Sequence, residues 1–476
     1  MRWISARRVV AVTAPAVALA IACGWAASAT SPLAPGATLL TGLAACAALR
    51  YPAVAVGLVI AVVALLPFGV VPIRLGVAPT FLDLATALLW ASWLTRVATG
   101  RDRPRHAGIT AAFGLFVASA TVAYLGSPDR LVPDETARAF AKAMVATLAI
   151  VPVAHLAADA GVARATVGAI VAFAGAEASI ALALHVVPRD LAYRALAALA
   201  PLGYPTGDGV LRYRPDTDIL RAIGTSIDPN MLGAMLMVAG SLGVATLLAP
   251  RPPWPRWVTA AALAPVLAGL LLTESRGSWL SLAVAIAVIA TLRHRRLWLV
   301  VALGAIAIPF VPAAQRFTAH LVSGLLAQDR AASMRIGELR NALAIISSAP
   351  WVGVGWGIGD RSIDLEFTRG VSNIYLAVAQ RSGIPALGAY LAGWAAAAWV
   401  SWRGLRATLT DPEDDGITIG TAAAITGALG AGMVDHHFVS FPHLVTLLAV
   451  LAGTLVARAA SAHRQAQPAR ATGMNA

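Results

Sequence analysis

Long apolar stretches recur along the chain from residue 9 to residue 458, and shorter polar segments separate them. A helix needs roughly 20 predominantly apolar residues to cross the hydrocarbon core of a bilayer. The pattern predicts about fourteen such helices, or about twelve if two of the shorter stretches are re-entrant or merged. We place them at 9–28, 36–49, 52–72, 79–98, 108–126, 138–157, 163–187, 230–249, 257–273, 277–292, 297–312, 373–402, 416–434 and 441–458. The chain is therefore predicted to be an all-α, polytopic transmembrane helix bundle.

The composition supports a membrane protein and argues against other classes. Hydrophobic residues make up 58% of the chain, charged residues only 12%, and the mean hydropathy is +0.74. The net charge of +13 does not indicate nucleic-acid binding, because the Lys and Arg residues lie in short loops rather than on one basic face. Cys23 and Cys46 lie in apolar stretches without metal-ligand spacing, so neither disulfides nor a zinc site are indicated.

Basic residues in the loops predict the orientation. Even numbers of spans separate the clusters, so a single assignment places all of them, and both termini, in the cytoplasm. The clusters are Arg2, Arg7 and Arg8; Arg101, Arg103 and Arg105; Arg251 and Arg256; Arg293, Arg295 and Arg296; Arg403 and Arg406; and Arg464 and Arg470. We predict a multi-pass protein of the inner (plasma) membrane. As an alternative, Ala27-Ser28-Ala29 resembles a signal cleavage site after the first span, which would leave the later topology unchanged.

Two long polar intervals divide the chain. We expect N-terminal transmembrane helices in 1–187, a first long extracytoplasmic loop in 188–229, transmembrane helices with an arginine turn in 230–312, a large extracytoplasmic loop in 313–372, and C-terminal transmembrane helices with a cytoplasmic tail in 373–476. The larger loop contains an amphipathic pattern, predicting a helix that lies along the outer membrane surface. Its apolar residues are Met334, Ile336, Leu339, Leu343 and Ile346.

Arg221, Arg276 and Arg335 are among the arginines that fall on the non-cytoplasmic side of this topology. Arginines retained there need a reason other than topology, and an anionic ligand such as a phosphate supplies one. Arg276 lies with Glu274 in a tight turn between two spans, at the positive end of the following helix, which favours an anion site. A simple salt bridge between Glu274 and Arg276 is the alternative.

Other polar motifs are less specific. Asp435, His436, His437 and His443 cluster between the last two spans, where interfacial histidines, one of them a proton acceptor, are favoured over a metal site. The glycine-rich run at 353–359 is not a nucleotide loop, because no strand precedes it and no Gly-Lys-Ser/Thr follows it.

Taken in order, several segments resemble the O-antigen ligase and polymerase superfamily of bacterial envelope glycosyltransferases. They are the Arg221–Asn230 segment, the Ser275-Arg276-Gly277 turn, the Arg335 helix, the Pro350–Gly357 run, and Asn373-Ile374-Tyr375-Leu376 followed by Gly383. The resemblance implies a membrane enzyme that moves a glycan from an undecaprenyl-diphosphate carrier to a hydroxyl on a glycan or lipid-linked acceptor. It implies no metal or nucleotide cofactor. The expected partners are this donor, the acceptor and membrane lipids, with no nucleic acid.

The resemblance also implies site residues. The candidate catalytic residues are Arg276, Arg335 and Asn373, and the candidate substrate-binding residues are Arg221, Asn230, Glu274, Glu338 and Tyr375. Ligases of the family typically have a His before the Asn, where this chain has Ser372, whose hydroxyl is far too weakly basic to replace an imidazole. Either positioning and charge stabilisation suffice, or another group is the base. The candidates for that group are Glu338, Asp364, Glu366, His436 and His437.

A lipid-linked oligosaccharide flippase or polysaccharide transporter is the alternative function. Such proteins tend to have repeated halves with charged residues near the middle of several spans. Here we find no internal repeat, and Asp83, Lys142 and Glu177 are the main charged residues inside predicted spans. The polar residues concentrate instead in two outer loops, which favours a site at one surface.

Overall fold

The computed structural model describes residues 34–72, 79–103, 106–127, 134–207, 209–214, 218–307, 330–356, 371–409 and 415–473, with isolated positions between 310 and 322. The first predicted span at 9–28, the candidate bases Asp364 and Glu366, and residues 357–359 of the glycine-rich run lie outside the described residues.

The first half of the described chain forms helices that match the predicted spans closely. They are α1 (Ala34–Arg50), α2 (Pro52–Leu65), α3 (Phe81–Ala98), α4 (Ala107–Gly126), α5 (Asp134–Leu148), α6 (Ile150–Leu156) and α7 (Ala160–Val186), followed by the short α8 (Arg189–Ala197). Each long apolar stretch becomes helical because a backbone in lipid must satisfy its hydrogen bonds within its own segment.

The second half continues in the same way after a loop that contains a short 3₁₀ turn, Gly224–Ser226. Its helices are α9 (Pro229–Leu248), α10 (Arg256–Leu272), α11 (Arg276–Leu292), α12 (Leu297–Ala307), α13 (Arg330–Ser348), α14 (Ile374–Leu409), α15 (Ile417–Ala431), α16 (His437–Ser440) and α17 (Pro442–Gly473). Non-helical backbone at Gly383 interrupts α14.

The predicted fold class is confirmed. Within the described residues, six helices are long and apolar enough to cross a membrane, four shorter apolar helices accompany them, and the only β-structure is two isolated bridges. The protein is an all-α polytopic membrane bundle. The number of spans stays a prediction, because the first of them lies outside the described part.

The bundle has two ends. At one end Ile374 N–H donates to Gly432 O, Ala222 N–H donates to Leu272 O, and His437 faces Asp228. We call this the site end. At the opposite end Arg293 donates to the carbonyls of Thr408 and Leu409, and Arg164 and Arg458 pair with Asp415. These contacts fix which helix termini meet.

The predicted amphipathic helix is present as α13. Ala342 and Ile345 are buried, whereas the apolar residues Met334, Ile336, Leu339 and Leu343 are 39–53% exposed. A row of exposed apolar side chains on a helix at one end of a membrane bundle is typical of a surface that contacts lipid. The helix packs against α14 on its other side.

Candidate functional site

Arg221 is held in place by the loop that precedes α9. Its backbone N–H donates to Arg212 O at 2.8 Å. Its guanidinium donates from Nε to Thr273 O and from Nη2 to Asn230 Oδ1, both at 2.7 Å. Asn230, predicted to bind substrate, therefore contacts Arg221 directly. These bonds use one edge of the guanidinium and orient the group beside the turn between α10 and α11.

The N-termini of α9 and α11 lie side by side at this point. Asp228 caps α9, because its Oδ1 accepts the N–H groups of Asn230 and Met231 at 2.8 and 3.0 Å. Arg276 is the first residue of α11. A Cβ on Gly233 would lie 2.7 Å from Ser278 Oγ, which shows how closely the two helices approach. Two helix N-termini together provide partial positive charge that favours an anion.

Backbone strain coincides with these N-termini. Ile227 and Glu274 adopt left-handed conformations with φ of 58° and 53°, directly before Asp228 and one residue after Thr273. Such conformations are uncommon outside glycine, especially for a β-branched residue, and they cluster at functional sites. Glu274 Oε2 lies 3.8 Å from Arg214 Nη1.

Arg276 and Arg335 lie close enough to Arg221 to affect its pKa. Burial lowers the pKa of Arg221 to about 10. The carboxylates of Asp228 and Glu274 oppose this shift, and the positive charges of Arg276 and Arg335 add to it. The structure therefore brings together all three predicted outer arginines, from three separate segments.

Glu338 and Asn373 connect α13, α14 and the segment after α15. Glu338 Oε2 accepts the N–H of Ser372 at 2.9 Å. Asn373 Oδ1 caps α14 by accepting the N–H groups of Tyr375 and Leu376 at 2.9 Å, and its Nδ2 donates to Met433 O at 3.0 Å. The Tyr375 hydroxyl donates to Leu429 O at 3.0 Å. These three predicted site residues therefore hold neighbouring segments in register.

Residues 435–437 reach the same location from the other side. His437 Nδ1 pairs with Asp435 Oδ1, and His437 Nε2 lies 3.9 Å from Asp228 Oδ1. Burial works to raise the pKa of Asp435, but the hydrogen bond and charge of His437, together with His436 and Arg335, outweigh it and hold that pKa at about 2. Burial works to lower the pKa of His437, but Asp435, and then Asp228, outweigh it and raise that pKa. Asp435 and His437 therefore stabilise each other's charged forms.

We name the resulting group the outer cluster. It consists of Arg221, Asp228, Glu274, Arg276, Arg335, Asp435 and His437. The sequence pattern had indicated His437 only as one of several possible bases. No group of three or more His, Cys, Asp and Glu side chains suited to a metal ion occurs in the described part of the chain.

Glu177 supports the loop that leads into the outer cluster. Its side chain is fully buried in α7, and its Oε1 accepts the N–H groups of Thr225 and Ser226 at 2.6 and 3.3 Å. Gly224 adopts a φ of +55°, and a Cβ there would collide with Glu177 Oε1. An ionisable residue inside a membrane helix is a candidate functional residue. Here its contacts give it a positioning role.

We expect Glu177→Ala to destabilise the protein by about 1–3 kcal/mol, because two buried N–H groups lose their acceptor. Glu177→Gln keeps an acceptor oxygen of the same reach and should stay near wild type. Thermal unfolding of the two variants in detergent measures the difference. Equal unfolding temperatures for both variants would show that Glu177 does not stabilise this loop.

Comparison with known proteins adds independent information. A family model described as O-antigen ligase matches residues 260–391. This region runs from α10 to the first half of α14 and contains Arg276, Arg335 and Asn373, whereas Arg221 and the pair Asp435–His437 lie outside it. A search of curated proteins found no match. The matched family supports a glycan-transferring function in the membrane. The chain is therefore a multi-pass membrane protein that contains a region similar to the O-antigen ligase family.

Proposed function

We propose that the protein transfers a glycan from a polyprenyl-diphosphate carrier to a hydroxyl of a glycan or lipid-linked acceptor at the outer face of the inner membrane. The convergence of Arg221, Arg276 and Arg335 carries this proposal. Mutually repelling guanidinium groups beside two helix N-termini are stabilised by an anion with several oxygens. A diphosphate provides such oxygens.

The same geometry fits the chemistry of the transfer. When the acceptor oxygen attacks the anomeric carbon, the bond from that carbon to the diphosphate breaks and negative charge builds up on the leaving group. Guanidinium groups that are already oriented stabilise this charge without further reorganisation. Arg276 at the start of α11 and Arg335 on α13 approach the outer cluster from different segments, so we assign both to the diphosphate, with Arg221 as a third contact.

We propose that the other predicted site residues hold the arginines and the surrounding helices in place. Asn230 orients Arg221, Glu274 supports the turn before Arg276, and Glu338 joins α13 to the start of α14. Asn373 and Tyr375 hold α14 against the segment that follows α15. We propose that this network sets the distance between the arginines on α11 and α13.

The distribution of charge supports an outward-facing site. Short connections at the opposite end of the bundle have clusters of basic residues, which by the positive-inside rule indicate the cytoplasmic end. The described members are Arg50, Arg101, Arg103, Arg164, Arg251, Arg256, Arg293, Arg295, Arg296, Arg403, Arg406, Arg458 and Arg464. We therefore propose that the C-terminus lies in the cytoplasm and the outer cluster on the outside. We propose that the N-terminus is also cytoplasmic, as the loop charges predict.

The charged residues inside the spans favour a transferase over a flippase. Asp83 forms a capping box with Thr80 at the start of α3, and Lys142 pairs with Asp83 at 3.0 Å. The Glu177 carboxylate accepts hydrogen bonds from the N–H groups of Thr225 and Ser226. Each of these three charges has a structural partner near the site end, so they do not mark a polar path across the bilayer.

The direct test is the location of the lipid-linked glycan in a strain that lacks the protein. A transferase acting outside predicts that polyprenyl-linked glycan accumulates on the outer face, with loss of the finished glycan, and that the wild-type gene restores both. Accumulation confined to the inner face would identify a flippase. No accumulation on either face would overturn the proposed donor.

A further inference from the structure

The chain lacks the imidazole that the family resemblance predicts next to Asn373. Ser372 occupies that position, and its backbone N–H is bonded to Glu338. The attacking hydroxyl of the acceptor becomes more nucleophilic as it loses its proton, so a base at this location accelerates transfer. A different segment can supply that base if the fold brings it to the same place.

The segment after α15 lies at that place. Asn373 Nδ2 donates to Met433 O at 3.0 Å, and Ile374 N–H donates to Gly432 O at 2.7 Å. His437 follows Met433 by four positions and turns back toward Asp228, at the N-terminus of α9. The imidazole of His437 therefore lies in the outer cluster, although His437 is far from residue 372 in sequence.

The geometry of His437 is that of an oriented base. Asp435 holds Nδ1, which directs Nε2 away from the carboxylate. Nε2 is 3.9 Å from Asp228 Oδ1, which is beyond hydrogen-bond distance, and no other described residue hydrogen bonds to it. A carboxylate on one ring nitrogen fixes the tautomer and leaves the other nitrogen to exchange a proton, as in hydrolytic triads.

The neighbouring His436 is less suitable than His437 as a general base. Its ring stacks on His437 with centroids 5.2 Å apart, and its Nδ1 is buried without a hydrogen-bond partner in the described part of the chain. Burial lowers the pKa of His436 to about 4. A base of that strength accepts a proton poorly near neutral pH. At His437 the direct contact with Asp435 and the charge of Asp228 outweigh burial, so His437 is the stronger base of the two.

We propose that His437, oriented by Asp435, is the general base that deprotonates the acceptor hydroxyl. This inference rests on the proposed transfer from a polyprenyl diphosphate. In the step, the acceptor oxygen forms a bond to the anomeric carbon while the bond from that carbon to the diphosphate breaks. The electron pair leaves with the diphosphate beside the arginines. The hydroxyl proton passes to His437 Nε2, which later returns it to solvent.

The matched variants are His437→Gln and His436→Gln. Membranes of the deletion strain contain the accumulated lipid-linked glycan and its native acceptor, so adding each purified protein and following consumption of that glycan gives the rate. We expect His437→Gln to lose about 10²- to 10⁴-fold of the rate. His436→Gln should lose at most a few-fold. Farnesyl diphosphate serves as a soluble probe of diphosphate binding, and its affinity should be unchanged in His437→Gln.

The pH profile separates a base from a structural residue. The groups that face His437 are Asp435, Asp228, Arg335, His436 and His443, and among them the carboxylates dominate. The neutral imidazole is the active form, so the rate should rise with pH to a midpoint above the ordinary histidine pKa of about 6.5. Asp435→Asn removes the charge that raises this pKa. It should therefore move the midpoint to lower pH and also lower the maximal rate.

The outcomes distinguish this inference from the proposed function. If wild type consumes the lipid-linked glycan and His437→Gln does so at the same rate, His437 is not the base and the transfer itself stands. If His436→Gln rather than His437→Gln loses the rate, the assignment of the two rings is wrong. If wild-type protein neither consumes the glycan nor binds farnesyl diphosphate, the proposed function fails. Thermal unfolding must show that His437→Gln is folded, and the Asp435→Asn pH shift provides a second test if it is not.

Discussion

Replacing Arg276 or Arg335 by alanine should reduce glycan transfer by about 10²- to 10³-fold, the loss typical of removing one preorganised donor from a transition state. Both residues lie within electrostatic range of Arg221 in the outer cluster, where charge builds up on the leaving diphosphate. The measurement is the initial rate of lipid-linked glycan consumption in membranes of the deletion strain. The affinity for farnesyl diphosphate should fall in parallel, because these residues contact the diphosphate itself.

Arg296→Ala is the matched control for the arginine variants. Arg296 lies in the exposed turn between α11 and α12 at the opposite end of the bundle, so it carries the same charge away from the proposed site. Its loss should leave the rate within a few-fold of wild type. All three variants should accumulate to normal levels in the membrane. Equal rates for all three would defeat the diphosphate assignment.

Gly383→Ala should destabilise the whole site end by about 2–5 kcal/mol. Gly383 has φ 81° and ψ 171°, a conformation available essentially only to glycine. An added Cβ would collide with Trp351 O and lie 2.8 Å from Val352 N, both backbone atoms that cannot rotate away. The segment that it would displace follows α13 directly, so Arg335 should lose its position as well.

The measurement is thermal unfolding in detergent together with the amount of protein in the membrane. Gly388→Ala is the control, because it lies in the same helix with no atom within 4 Å of an added Cβ. Alanine there should be neutral or slightly stabilising, since it favours the helix. A Gly383→Ala protein as stable as Gly388→Ala would contradict the packing described for this break in α14.

Many residues of the candidate site could be predicted from the pattern of charged and apolar residues in the sequence. Arg221, Arg276 and Arg335 stood out because loop charges predict which side of the membrane each residue faces, and these arginines lay on the unexpected side within recognisable motifs. Asp228, which directly precedes Pro229, caps α9. Nothing local indicated that Asp228 would also face His437, since the two residues are far apart in sequence and belong to different helix termini.

The helices and the class of fold follow from local sequence patterns, because each segment that crosses a bilayer must be long enough, apolar and internally hydrogen bonded. The sequence also determined which residues could bind an anion, through their charge and their predicted side of the membrane. The tertiary structure alone decided the pairing of His437 with Asp435 beside Asp228 and the support of the 225–226 loop by Glu177. It also decided the approach of Arg335 to Arg221. These are contacts between separate helices, set by how the bundle packs, and no periodicity within one segment encodes them.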